Sequence, residues 1–308
     1  MIYKFAGLLE SWITIPIKSG LVFWMGGLIA YLYDAELITW DNFRTLDFSA
    51  DELTFIILGL LLVTAMGFSL MNRFSLSILR LLEGYWFSWL KPLGVIENWR
   101  CQQIDERFQQ LAIKYARNVQ DMTADELAEY NHLYHGKMSI PDDSAQRMPT
   151  RLGNLLRSIE SRPYKKYGLN SVVCWPRLWP LLPEEMKTEV TTARENLDTA
   201  AHIWMWSLLF ITWGIFTVWA IILGLVLTLS TYRLLLNAAE IYGQLVEASF
   251  DLYRFSLYEA LHWPLPSSPD EEYEKGCQLS DYLYRGVCPQ EPSICFIKKE
   301  EANTQCSS

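Results

Sequence analysis

The stretch Leu53–Met71, LTFIILGLLLVTAMGFSLM, carries no charged residue and limits the fold more than any other part of the chain. About 20 apolar residues in a helix cross the ~30 Å of bilayer hydrocarbon. Lipid offers the backbone no hydrogen bonds, so only helices or closed barrels satisfy themselves there. A second such stretch, Trp12–Tyr33, has Pro16 and Lys18 where its helix begins, and Gly26-Gly27 gives it a bare face for close packing. No small-residue cleavage site succeeds it, so it reads as a retained anchor and not a signal peptide.

A third block, Ile203–Leu236, holds Arg233 as its one charge. Ile203–Ser230 alone makes a helix of roughly 42 Å at 1.5 Å per residue, too long for one upright span. The block is either one tilted helix or two short helices in a tight hairpin. Neither Pro nor a polar turn marks a tip, but Gly214 and Gly224 can bend the chain. Two passages are favoured, because the C-terminal region looks cytoplasmic.

The net charge of −9 is unevenly spread. Between Asp34 and Glu52 the acids Asp34, Glu36, Asp41, Asp47, Asp51 and Glu52 face only Arg44, whereas Arg73–His202 carries most of the Lys and Arg. Positive charge stays inside. The acidic loop is therefore expected outside, with the N-terminus and the central region cytoplasmic.

The middle region reads as soluble and helical. Ile104, Phe108, Leu111, Tyr115 and Val119 recur at helical spacing. Thr123-Ala124-Asp125-Glu126 is a capping box for a helix stopping near Gly136. Leu152, Leu155, Leu156 and Ile159 form the apolar face of a helix expected to end at Arg162-Pro163, and CWPRLWPLLP (Cys174–Pro183) reads as a turn. Ser268-Pro269 opens a last helix that Gly286 stops. The expected fold class is all-α: a polytopic helical membrane protein of three to four spans, with a cytosolic helical domain between spans two and three. Its parts are a transmembrane pair with an acidic loop (1–72), the cytosolic domain (73–202), the second transmembrane block (203–236), cytosolic amphipathic helices (237–286) and a flexible tail (287–308).

Two patterns bear on function. Asn237, Glu240, Gln244, Glu247, Asp251 and Arg254 have spacings of three and four, which put them on one narrow polar stripe of an otherwise apolar helix. Either this is the wet edge of a packed helix, or symmetric copies turn it towards an axis and it lines a cation-favouring pore. Arg147, Arg151, Arg157, Arg162, Lys165 and Lys166 form a basic cluster answered nearby by Glu160 alone. This is a solvated face or a site for an anionic lipid or a nucleotide-like ligand, and nucleic acid stays open as a partner. No Gly-rich phosphate loop accompanies it.

Other chemistry is weakly signalled. His132 and His135 make an HxxH without evident further ligands, so no metal is expected. None of the six cysteines forms a CxxC pair. No nucleophile elbow appears, no cofactor is implied, and the chain does not read as an enzyme. The spans lack the mid-membrane acids and bases of coupled carriers.

Three strings add a resemblance: PTRLGN (Pro149–Asn154) with KYGL (Lys166–Leu169), WPRLWPLLP (Trp175–Pro183) and YGQLVEASFDLYRFSLYEAL (Tyr242–Leu261). They resemble an uncharacterised prokaryotic multi-span membrane protein family. That resemblance implies paired spans on either side of a cytosolic helical insert, in a bacterial inner (plasma) membrane, and carries no catalytic residues. This chain departs from the pattern in its compressed third block. The leading expectation is a homo-oligomeric membrane channel or pore-forming effector gated by an anionic ligand on its cytosolic domain. The alternative is a membrane-anchored scaffold or regulatory subunit that holds partners at the inner face.

Overall fold

The structure is a computed structural model that describes residues 19–34, 49–86, 91–118 and 122–286. Among these residues every regular element is helical. Ten α-helices are described: α1 (19–34), α2 (Ala50–Arg73), α3 (Ser75–Glu83), α4 (Val95–Arg117), α5 (Ala124–Met138), α6 (Arg151–Tyr167), α7 (Ser171–Leu178), α8 (Glu184–Phe210), α9 (Val218–Ala260) and α10 (Pro269–Arg285). Most of the acidic loop, the beginning of the first apolar stretch and the expected flexible tail lie outside the described residues.

The chain divides into two compact units. One takes the chain up to Leu82 and Glu195–Ala238; the other takes Glu83–Arg194 and the chain from Ala239 onward. The middle region and the post-block helices, read as separate parts in the sequence, thus fold together.

Among the described residues two helices are long and apolar enough to cross a membrane: Thr54–Arg73, in the first unit, and Val218–Ala260, which begins there and continues into the second. At 43 residues α9 is about 65 Å long, more than twice the hydrocarbon thickness, so only part of it can lie in lipid. Phe55, Leu62, Met66, Val218 and Leu229 are exposed, as lipid-facing side chains would be. The third block turns back on itself. After α8 a short 3-10 turn, Ile211–Ile215, reverses the chain into α9. Trp204 meets Tyr232, and Phe210 meets Trp219, both at 6.4 Å between ring centroids. The tip needs no polar residue because two glycines bring the arms together. A Cβ on Gly224 would lie 2.7 Å from Ile211 Cγ1, and one on Gly214 2.2 Å from Ile221 Cγ1. Gly26 and Gly27 of α1 play the same part, since a Cβ there would run into the rings of Phe210 and Trp213. Phe23, Trp206 and Phe210 fill this core.

In the second unit α4 and α5 form an antiparallel pair. The Thr123 capping box is made: its hydroxyl accepts from Glu126 N–H at 3.2 Å, and Glu126 accepts from Thr123 N–H at 3.0 Å. Helix α5 runs on past Gly136 to Met138. Two expectations are corrected. Helix α6 does not end at Arg162-Pro163 but includes Pro163 and stops at Gly168, whose φ of 69° is the left-handed conformation of a helix end. CWPRLWPLLP is not simply a turn, because its first half lies in α7, capped by Asn170. Proline costs a helix one hydrogen bond and a steric clash. In α6 the turn beyond it is held by side-chain bonds from Lys166 and Tyr167 to α9. The core joins Leu169, Cys174 and Leu178 to Phe250, Leu257, Tyr258 and Leu279. Burying one such aromatic ring contributes about 2–3 kcal/mol.

Candidate functional site

The polar stripe of α9 is not uniform. Asn237, Glu240 and Gln244 are exposed. Glu247, Asp251 and Arg254 are drawn into contacts within the second unit. Arg162 Nη1 donates to Glu247 Oε2 at 2.7 Å, and Lys166 Nζ lies 2.5 Å from Glu247 Oε1. Tyr167 donates its hydroxyl to Asp251 Oδ1 at 2.6 Å, and Lys166 reaches the other oxygen at 3.4 Å. Arg254 donates to Glu272 of α10 at 2.5 Å and stacks over Tyr167, 4.3 Å from its ring centroid. Of the six pore-lining candidates, these three are ion-paired or hydrogen-bonded within the chain. Their charges are paired, and Glu247 is only 18% exposed. The physical reason is close approach of α6: Gly243 leaves room for Ile159, whose Cδ1 would lie 2.2 Å from a Cβ there.

Most of the basic cluster is ion-paired in the same unit. Arg147 pairs with Asp105 of α4, Arg157 with Glu160 at 2.9 Å and Lys165 with Asp142 at 2.7 Å. Together with Arg162 and Lys166, that leaves Arg151, exposed at the first turn of α6, outside these ion pairs. Arg157, Lys165 and Lys166 remain 42% exposed beside their partners. Burial of Lys166 works against its charge, but the carboxylates of Glu247 and Asp251 prevail and hold its pKa above the ordinary lysine value. Asp142 is held below the usual carboxylate range, chiefly by the hydrogen bond from Lys165.

The pair α4–α5 is laced across by Lys114–Glu126, Arg107–Glu129 and Lys137–Asp105, at 2.6–2.8 Å. Beside them runs an aromatic ladder. Tyr115 stacks on Tyr130 at 4.7 Å, Tyr130 on Phe108 at 5.5 Å, and Tyr134 continues the ladder 6.2 Å from Phe108. His132 and His135 are exposed on α5. Among the described residues no group of three or more His, Cys, Asp or Glu is placed to hold a metal.

A buried polar hub has no signature in the sequence. Asn154 is fully buried; its amide donates to Glu97 at 3.0 Å and its oxygen accepts from Met148 N–H at 2.7 Å. Beside it Cys101 is pushed up to about 11, by burial and then by Glu97. Burial likewise raises Cys174 to about 11. Neither is a thiolate at neutral pH, which removes both as ready nucleophiles.

Two clefts among the described residues of this unit border α9. One, of about 280 Å³, is walled by α6, α7 and α9 through Ile159, Trp175, Tyr242 and Phe250. The other, of about 330 Å³, lies among α4, α5, α6 and α9. Its floor holds Phe108, Tyr134 and Met138, and Lys137, Lys165 and Asp142 also line it.

No family model, no curated protein and no solved structure matches this chain.

Proposed function

We propose that the chain is a membrane-anchored scaffold or regulatory subunit whose helical unit holds a partner at the inner face of a bacterial plasma membrane. The observation that carries this reading is the pairing of Glu247, Asp251 and Arg254 with α6 and α10. A conducting stripe needs charges turned to water, and these are committed to holding three helices together. This reading takes α1, α2 and the two arms of the hairpin as passages, of which α2 and α9 are long and apolar enough to cross on their own. A core that mixes Leu169 and Cys174 with Phe250 and Leu279 keeps both sets on one side of any bilayer, which supports an even number of crossings between them. The acidic loop is then outside and the N-terminus inside.

The homo-oligomeric channel keeps one observation in its favour, the exposure of Asn237, Glu240 and Gln244 on α9. Reconstitution of the full chain into liposomes separates the two. The scaffold gives no ion flux above empty vesicles, and Glu240→Lys changes none. A ring-shaped oligomer with a conductance that Glu240→Lys alters would overturn the scaffold in favour of the channel.

A further inference from the structure

We infer that the cleft among α4, α5, α6 and α9 binds an amphiphilic organic phosphate, and that Asp142 occupies the phosphate position when the cleft is empty. The inference does not rest on the scaffold reading and holds equally for a channel.

The cleft combines two chemistries that rarely meet by accident of packing. Its floor is apolar and partly open: Tyr134 is 45% and Met138 44% exposed, although both face a concave surface. Its rim is cationic. Lys137 and Lys165 converge on a single carboxylate, that of Asp142, at 3.2 and 2.7 Å. Asp142 stands in the connection between α5 and α6 with its side chain 61% exposed, so it can swing out without uncovering a core. A pocket near 330 Å³ is in the range that holds small organic ligands.

The charge balance selects the head group. With Asp142 withdrawn, Lys137, Arg162, Lys165 and Lys166 line the cleft against Glu247 alone. This positive excess suits a phosphate monoester, which carries about −1.5 to −2 at neutral pH, better than a singly charged group. A carboxylate ligand would only replace what Asp142 already supplies. The apolar floor then demands a body: a planar ring to lie on Tyr134, or a short acyl chain along Tyr134 and Met138. A nucleotide and a lipid phosphate share this chemistry.

The test is calorimetric titration of the full chain in nanodiscs of neutral lipid. The probes are adenosine monophosphate, dihexanoyl phosphatidic acid, inorganic phosphate and adenosine. Either organic phosphate is expected to bind at least tenfold more tightly than inorganic phosphate or adenosine, and whichever is tighter identifies the source. Asp142→Asn tightens that binding about tenfold. Lys165→Gln, at a half-exposed position that folding tolerates, weakens it about tenfold. Tyr134→Ala weakens the organic phosphates and leaves inorganic phosphate unchanged. Saturable binding of neither organic phosphate below millimolar concentration overturns the proposal. So does an Asp142→Asn variant that folds with unaltered affinity, or equal affinity for organic and inorganic phosphate.

Discussion

Arg162 donates to Glu247 at 2.7 Å across 85 positions of sequence, and Lys166 closes on the other oxygen of the same carboxylate. Along the sequence, the cations belong to an anion site and the carboxylate to a cation path. In the fold each is the other's counter-ion. Both side chains of the first pair are less than a fifth exposed; without Arg162 the carboxylate keeps Lys166, whereas without Glu247 the guanidinium keeps only the Met138 carbonyl.

Glu247→Ala is therefore expected to cost about 3 kcal/mol, the loss typical of breaking a largely buried pair from one side, and Arg162→Ala less, because Lys166 still answers the carboxylate. The double variant should lose clearly less than the two single losses added together. Thermal melting of the full chain in detergent, taken as a double-mutant cycle, measures this coupling. Additive losses would show that the pair contributes nothing specific.

Glycine substitutions should sort by what a methyl meets. A Cβ on Gly276 would lie 1.8 Å from the Tyr167 carbonyl oxygen, and one on Gly153 2.0 Å from that of Glu83. Backbone cannot swing aside, so Gly276→Ala and Gly153→Ala should each destabilise by about 2–4 kcal/mol. Gly136, in α5 with nothing within 4 Å of its Cβ position, should instead gain about 0.5–1 kcal/mol as alanine. The same melts distinguish the three.

Much of the fold is legible in the sequence. Charge-free runs announce α2 and the hairpin block, and Thr123-x-x-Glu126 and Ser268-Pro269 announce helix starts that the fold contains. The candidate site is less legible, because its acids and bases come from separate elements. Asp105 and Asp142 neutralise Arg147 and Lys165, and no spacing rule links them. Pro163 looks like a stop because the side chains that hold the turn after it reach α9. Asn154 and Gly153 lie within PTRLGN, but a buried amide and a bare backbone look like any other Asn and Gly in one sequence.

Acid should loosen the α4–α5 pair first. Glu126 and Glu129 are held below the ordinary 4.5, mainly by hydrogen bonds from Lys114 and Arg107. A depressed carboxyl gives stability that is full above its unfolded pKa and lost as pH falls through the folded one. The loss therefore begins below about pH 4.5. Hydrogen exchange of α5 amides, corrected for intrinsic rate, should be unchanged from pH 7 to 5.5 and accelerate by pH 3.5. Equal protection at pH 3.5 would show that these pairs do not hold α5.

In the first unit, Gly27→Val should disrupt packing, because its Cβ would sit 2.2 Å from the Trp213 ring. Trp213→Ala in the same chain should recover part of the loss, since it opens the space the valine needs. Detergent melts of the two singles and the double check this. No recovery would mean that α1 does not pack on the hairpin tip in the membrane.

The shared core of the second unit imposes an order on synthesis. Leu169, Cys174 and Leu178 leave the ribosome well before Phe250, Tyr258 and Leu279, their partners in that core. The whole apolar hairpin is made in between. The early half of the unit must wait with one wall of its core missing until the hairpin has been made and α10 has emerged. A chain stalled before Leu279 is thus unfinished, and its exposed Leu–Cys–Leu face is the surface a chaperone would have to guard.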